Sequence, residues 1–295
     1  MQHLLCLLLL LPVSAFAQAG KNYQPRVAMT NSLAGGVTVL PLELVSNAAA
    51  GAYSVSRLLT NAYTGALALV VRSSDGATNY LTGTATGNNI AAITTWAGSD
   101  MVYVTNLFDQ TGNARHLVSG ATNNCFTIIT NGVAVAKGGK TAMKRVSTTS
   151  ALTASSVVLS EPVTYLLNVY NVSSTASDII VNGGGTTRMT VKQLASTYRL
   201  NNTSNVDVET LTAGQWDILQ AQFLVSASAP DQLAVDGGTF ATGEAGSNAS
   251  TSLSIGSTTV SADMIIGEWM LWNAEVDTTE LAEARDNMNA FWTIY

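Results

Sequence analysis

The chain has 295 residues, of which 47% are hydrophobic and 11% are charged, against about 25% charged residues in an average domain. This composition excludes a disordered chain, which needs low hydrophobicity and high charge, and there are no heptads of the kind that form coiled coils. The formal net charge is −6 and no run of Lys or Arg occurs, which excludes a nucleic-acid-binding protein.

The first 17 residues have the pattern of a secretory signal peptide. A short apolar run from Leu4 to Val13 precedes Ala15-Phe16-Ala17, the small-x-small pattern of a signal-peptidase site. The run is shorter than the roughly 20 residues of a membrane span. We therefore predict a signal peptide at 1–17, a single domain at 18–295, and a secreted, extracellular or periplasmic protein with no membrane span after cleavage. A virion location is the alternative if residues 1–17 are retained.

Removal of the signal peptide leaves one cysteine, Cys125, and one histidine, His116. A single cysteine excludes an intrachain disulfide, and one Cys with one His excludes a zinc site built from these residue types. No cofactor is predicted. Calcium stays open, with Asp231 and Asp236 as candidate ligands, because carboxylate oxygens are the ligands that calcium prefers.

Two helices are predicted among many short strands. Ser46-Asn47 offers a cap for a first helix at Ala48–Ala62, and Gly65 follows its end. Asp277 is the predicted cap of a second helix, in which Leu281, Ala284, Met288 and Phe291 recur at helical spacing. The strand-like runs are bounded by Gly, Asn, Asp and Ser turn signals, which is typical of a β-sandwich or barrel. These runs are Leu67–Arg72, Met101–Leu107, Thr164–Val172, Asp178–Asn182, Arg188–Gln193, Trp216–Val225, Gln232–Val235, Ser252–Gly256 and Met264–Trp272.

Two segments carry a resemblance to a known family: Ser54–Gly76, SVSRLLTNAYTGALALVVRSSDG, and Leu107–Leu117, LFDQTGNARHL. Together they resemble the opening of the α-L-arabinofuranosidase B catalytic domain, and they are similar to concanavalin A-like modules of phage tail and adhesion proteins. The resemblance implies an all-β fold, an antiparallel two-sheet sandwich of the concanavalin A-like or laminin-G-like jelly-roll type. We expect the two predicted helices to flank this sandwich, one short and N-terminal, the other C-terminal.

The catalytic features of the resembled family are not found at matching positions. Ser257 stands where the family has its acid, no Glu occurs between Glu161 and Glu209, and no adjacent Cys pair is present. The leading hypothesis is therefore a non-catalytic adhesion or structural module, exported or virion-associated, that binds glycans or cell surfaces. One alternative is a glycoside hydrolase of the α-L-arabinofuranosidase type, and a second is a purely architectural virion or surface-layer protein. Assembly into a homo-oligomer stays open.

The candidate site residues fall into two groups. Trp96, Asp109, Asn113 and His116 are the candidate ligand-binding residues, because aromatic faces and dense polar loops suit sugars. The alternative is that Asp109 and Asn113 only stabilise a turn around Gly112. Glu268 and Glu209 are the candidate catalytic carboxylates, since glycoside hydrolysis needs two carboxyl groups.

Overall fold

Short antiparallel strands dominate the fold, as the sequence predicts. The computed structural model describes residues 38–120, 126–146, 151–172, 178–183, 189–194, 197–209, 212–225, 229–246, 249–256 and 264–295. All of them fall within one compact unit, Asn31–Tyr295. The predicted signal peptide, Cys125 and Ser257 lie outside the described residues, so the predictions made for them stay predictions.

The strands are given in chain order. The first eleven are β1 (Ala49–Ser54), β2 (Ala66–Arg72), β3 (Thr78–Thr84), β4 (Gly87–Asn88), β5 (Val102–Leu107), β6 (Leu117–Ser119), β7 (Phe126–Thr130), β8 (Val133–Ala134), β9 (Ala136–Lys137), β10 (Lys140–Thr141) and β11 (Met143–Arg145). The others are β12 (Ala151–Leu159), β13 (Val163–Asn171), β14 (Asp178–Asn182), β15 (Thr190–Leu194), β16 (Thr197–Asn201), β17 (Asn205–Glu209), β18 (Trp216–Phe223), β19 (Asp231–Val235), β20 (Ala241–Gly243), β21 (Ser250–Gly256) and β22 (Met264–Trp272). A short 3-10 helix (Pro41–Glu43) precedes them, α1 (Ile90–Ala97) lies between β4 and β5, and α2 (Thr278–Trp292) follows β22.

Two antiparallel layers are built from these strands. The first has the order β20, β19, β18, β13, β22, and the far edge of β22 pairs with β1 along one half and β11 along the other. The second has the order β3, β2, β5, β6, β12, β21, β14, β15, β16, β17. Strand β7 pairs with both β5 and β11 and so joins the layers. The predicted all-β antiparallel sandwich is confirmed.

The central strands of the first layer are buried on both faces. Alternate residues of β13 and β22, such as Leu167 and Trp269, belong to the core between the layers. The residues between them, such as Leu166 and Trp272, belong to a second apolar cluster with α2. Because strand neighbours point to opposite faces, a helix on the outer face buries the strand completely. Trp269 and Trp272 point to opposite faces, and both are buried because α2 covers the outer face.

The C-terminal helix begins where the sequence predicts. The Asp277 carboxylate accepts hydrogen bonds from the backbone N–H groups of Thr279 (2.8 Å) and Glu280 (3.4 Å), which is the bonding of an N-cap. Leu281 and Met288 are fully buried against the first layer. Among the described residues, no helix is long and apolar enough to cross a membrane.

The predicted first helix at Ala48–Ala62 is wrong. Residues Ala49–Ser54 form β1, which pairs with β22 from Ala49 opposite Trp272 to Ser54 opposite Glu268. The short helix of the fold is α1, some forty residues further on. The alanine-rich sequence has high helix propensity, but pairing with a buried strand and packing on both faces outweigh that local preference.

Candidate functional site

The polar loop Asp109–His116, between β5 and β6, is organised around one buried carboxylate. Asp109 accepts hydrogen bonds from the backbone N–H groups of Ala52 (3.1 Å), Thr111 (3.0 Å) and Arg115 (3.2 Å), and from the Thr111 hydroxyl. Both of its oxygens are therefore occupied within the protein. Asp109 fixes the shape of the loop, and the residues around it present the polar groups of the loop to solvent.

His116 has a defined orientation on this loop. Its Nδ1 accepts a hydrogen bond from the backbone N–H of Asp109 (3.1 Å), and the ring of Phe108 meets it edge to face with centroids 5.0 Å apart. Because Nδ1 accepts, the neutral ring carries its proton on Nε2, which is then a donor. Asn113 is exposed, and its amide donates to the carbonyl of Ala49 (3.0 Å).

A groove of about 430 Å³ lies between this loop and β12. It is lined by Asn113, Ala114, Arg115, His116 and Val118 from the loop and β6, and by Thr153, Ala154, Ser155, Val157 and Val158 from β12. As far as the structure describes the groove, its lining contains donors, acceptors and exposed valines but no carboxylate. This mixture suits a ligand that is rich in hydroxyl groups.

The strand directions place the groove and a set of carboxyl groups at one end of the sandwich. Glu161 follows the groove-lining Val158 by three residues, in the connection from β12 to β13. Neighbouring strands in each layer run antiparallel to one another. Strands β16 and β20 therefore end at the same side of the sandwich as β12. Asn202 and Glu244 follow those two strands and so lie at this end too.

Among the carboxyl groups at this end of the sandwich, Glu161 is the one whose pKa is changed most. Its Oε1 accepts a hydrogen bond from Nδ2 of Asn202 (2.8 Å), which also donates to the carbonyl of Gly246 (3.1 Å). Burial, followed by the negative charge of Asp231, raises the pKa of Glu161 to about 7, and the charge of Glu244 adds to the increase. The Asn202 hydrogen bond acts in the opposite direction.

The two neighbouring carboxylates differ in exposure. Asp231 is buried, and its two oxygens accept the backbone N–H groups of Leu224 and Ala245, each at 2.6 Å. Burial nevertheless raises its pKa. Glu244 is exposed. Glu161, Asp231 and Glu244 form what we call the carboxyl cluster: a group with a raised pKa, a fixed buried charge and a solvent-accessible carboxylate.

A second pair of carboxyl groups lies at the opposite end of the first layer. Asp217 Oδ2 accepts hydrogen bonds from Tyr198 Oη (2.5 Å) and Asn171 Nδ2 (2.8 Å). Burial raises its pKa to about 6, and the nearby charge of Asp236 adds to the increase. Asp236 accepts the backbone N–H of Ile218 (2.7 Å). These contacts tie β13, β16, β18 and the turn after β19 together.

The other predicted site residues lie apart from the groove. Glu268 is buried on β22, and its two oxygens accept hydrogen bonds from Nε (2.8 Å) and Nη2 (3.1 Å) of Arg57. Trp96 is half-buried on α1 beneath the guanidinium of Arg72, 4.9 Å from the ring centroid. Glu209 is the last residue of β17, and its side chain lies outside the described residues.

Calcium ligation by Asp231 and Asp236 was the metal possibility left open by the sequence. Each of these side chains accepts hydrogen bonds from backbone N–H groups. In the part of the chain that the structure describes, no group of three or more His, Cys, Asp or Glu residues could hold a metal ion.

Comparison with protein families matches the model "Alpha-L-arabinofuranosidase B, catalytic" to residues 45–179. This part of the chain is similar to that catalytic domain. Among solved structures, an α-L-arabinofuranosidase of family GH54 soaked with a cyclic sulfate inhibitor has a TM-score of 0.62 at 12% identity. An arabinofuranosidase complexed with arabinofuranosyl-α-1,2-xylobiose has a TM-score of 0.62 at 13% identity. Each match covers 85% of this chain but 64% of the other chain. No curated protein matches.

These matches confirm the arabinofuranosidase part of the predicted resemblance and give no support to the phage tail and adhesion modules. At such low identity the structural likeness shows the fold alone. The prediction of a non-catalytic adhesion or structural module is wrong, because the matched family model describes a catalytic domain and the alternative, a glycoside hydrolase, fits it better. The family carboxylates are missing at the matching positions, but the chain carries carboxyl groups elsewhere, among them Glu161 and Glu244.

The sequence singled out the loop but not the carboxyl cluster. Asn113 and His116, both predicted, line the groove. Glu161 and Glu244 were missed as functional residues because neither lies in a local motif. They are 83 positions apart and come together only through strand pairing. The signal available in the sequence was a lone Glu before Pro162, just ahead of the strand-like run Thr164–Val172.

Proposed function

We propose that this protein is a glycoside hydrolase of the α-L-arabinofuranosidase type in which Glu161 is the proton donor. The observation that carries the proposal is the position of Glu161, half-buried and hydrogen-bonded to Asn202 in a carboxyl cluster at the end of the sandwich that holds the groove, where its pKa is raised to about 7. The match of residues 45–179 to an arabinofuranosidase catalytic model supports the substrate class.

The chemistry requires a carboxylic acid that is still protonated near neutral pH. Cleavage of a glycosidic bond needs a proton on the leaving oxygen, and the pKa of a good donor lies near the working pH. A pKa raised to about 7 lets Glu161 keep its proton at a higher pH than an ordinary glutamate does. Asn202 holds Oε1, so Oε2 is the oxygen that delivers the proton.

A second carboxylate must act from the other side of the sugar, either as a nucleophile or as a base for water. Glu244 is the cluster's exposed carboxylate, and we assign it this role. Asp231 is a positioning residue, because both of its oxygens are bonded to backbone N–H groups. Burial of Glu161 and, after it, the negative charge of Asp231 raise the pKa of Glu161 and so favour its protonated form.

The groove then binds the rest of the substrate. His116 offers an Nε2–H donor, and Thr153 and Ser155 offer exposed hydroxyl groups from β12. Val118 and Val158, which are 43% and 67% exposed, provide apolar contact for the carbon-bound hydrogens of a sugar. A furanose ring is puckered and presents no flat face, which fits a groove lined by valines rather than by aromatic rings.

The test is hydrolysis of 4-nitrophenyl α-L-arabinofuranoside by the purified protein, followed by release of 4-nitrophenol. Glu161→Gln removes the proton donor but keeps the acceptor for Asn202, and should lower kcat by roughly 10²- to 10⁴-fold. Glu244→Gln should cause a loss of similar size. Glu275→Gln, an exposed carboxylate in the loop between β22 and α2, is the matched control and should keep the wild-type rate.

The pH dependence provides a second criterion. Because Glu161 must be protonated, kcat/KM should fall as the pH rises above about 7. Absence of hydrolysis by the wild-type protein, or equal rates for Glu161→Gln and Glu275→Gln, would contradict the proposal.

A further inference from the structure

A second cavity, of about 210 Å³, lies beside α2 and shares no lining residue with the groove. Its walls come from α2, from the turn between β3 and β4, and from Arg57 and Lys140. In liquid water this volume would hold about seven molecules. The cavity is therefore large enough for one compact ligand.

The charges around this cavity do not balance. The guanidinium of Arg57 and the Nζ of Lys140 each lie 4.1 Å from the ring centroid of Phe291. Glu268 neutralises Arg57 through the two hydrogen bonds described above. Lys140 has no ion-pair partner among the described residues. A half-buried positive charge without a partner favours an anion in the cavity.

Asn287 supplies an independent indication of a ligand. It is 3% exposed and lines the cavity from α2. Its Nδ2 donates to the carbonyl of Val39 (2.9 Å), whereas its Oδ1 has no hydrogen-bond partner among the described residues. A buried acceptor left without a donor costs about 1–3 kcal/mol. A ligand that carries a hydroxyl group would supply the missing donor.

We propose that this cavity binds a monosaccharide that carries a carboxylate, a sugar acid. The carboxylate pairs with Lys140, and a ring hydroxyl donates to Oδ1 of Asn287. Thr86, an exposed residue of the turn between β3 and β4, also lines the cavity, and its hydroxyl adds a further polar contact for the ring. The site does not depend on the proposed hydrolase activity, because none of its residues belongs to the groove or to the carboxyl cluster.

The test is calorimetric titration of the full chain with D-glucuronate, with D-glucose and with inorganic phosphate. Glucuronate should bind at least tenfold more tightly than either of the others, because only it combines the anion with hydroxyl donors. Lys140→Met keeps the apolar stem on Phe291 and removes the charge. It should weaken glucuronate binding by roughly 10- to 100-fold, and Lys140→Arg should restore most of the affinity.

Lys137→Met is the matched control. Lys137 pairs with Lys140 across the β9–β10 hairpin, but its Nζ lies over the ring of Tyr170 (3.9 Å) and outside the cavity. It should bind glucuronate as the wild type does. Equal binding of glucose, phosphate as tight as glucuronate, no binding at all, or equal losses in Lys137→Met and Lys140→Met would each overturn the proposal. Unchanged melting temperatures exclude misfolding as the cause of a loss.

Discussion

The buried carboxyl group of Asp217 should make the stability of the fold depend on pH. Burial raises its pKa from 3.8 to about 6, with a contribution from the charge of Asp236, although hydrogen bonds from Tyr198 and Asn171 act in the opposite direction. The folded state therefore holds this proton more tightly than the unfolded state does. Between about pH 4 and pH 6 the folded chain binds more protons, so the free energy of unfolding decreases as the pH rises.

The size of the effect follows from the pKa difference. A shift of roughly 2 units, at 1.36 kcal/mol per unit, corresponds to about 3 kcal/mol. This contribution is fully present below about pH 4, is lost as the pH rises through about 6, and does not change further above that. Glu161 acts in the same direction up to about pH 7, so the wild-type decrease has at least two sources.

The variant Asp217→Asn isolates the contribution of Asp217 to this pH dependence. The amide keeps an acceptor for Tyr198 or Asn171 but has no proton to lose. Urea unfolding at pH 4, 5, 6 and 7 should show a smaller decrease for the variant than for the wild type, by about 3 kcal/mol over the range. Asp207→Asn, at an exposed position on β17, is the control and should follow the wild type. Parallel curves for wild type and Asp217→Asn would refute the reasoning.

Three further predictions concern stability and are checked by thermal or urea unfolding. Asp277→Ala removes the N-cap of α2 and should cost about 1 kcal/mol, whereas an unchanged melting temperature would mean that the cap is not formed. At Gly246, φ is +101° and an added Cβ would overlap the carbonyl oxygen of Asn202, so Gly246→Ala should be far more destabilising than Gly76→Ala, which meets nothing; similar losses would contradict this. Glu268→Gln leaves a buried guanidinium without its counter-ion and should cost about 3–5 kcal/mol, and a loss below 1 kcal/mol would be evidence against the buried pair.

The fold class was predictable because its signals are local. Alternating apolar runs and Gly- or Asn-rich turns specify strands, and the Asp277 cap with its apolar stripe specifies α2. The wrong prediction of a helix at Ala48–Ala62 has a physical explanation. The alanines of this segment satisfy helix propensity and a buried strand equally well, and only the pairing of β1 with β22 decided between them.

The candidate site was predictable only in part, because only its contiguous segment gives a local signal in the sequence. The loop Asp109–His116 is contiguous, so its polar density was visible, although the sequence did not reveal that Asp109 points inward and His116 lines the groove. Glu268 illustrates the reverse case. As a carboxylate on an apolar strand it was a candidate for catalysis, and its pairing with Arg57, 211 positions away, gives both of its oxygens a partner.

The sequence by itself determined the all-β class, part of the strands and turns, the terminal helix and the polar loop, because hydrogen bonding and side-chain alternation within a few residues carry that information. Only the tertiary structure decided which carboxyl groups share an environment. Antiparallel pairing brings the ends of β12, β16 and β20 to one side, and burial there raises the pKa of Glu161. A pKa depends on solvent exclusion and on charges contributed by distant segments, and neither exists until the two layers have packed together.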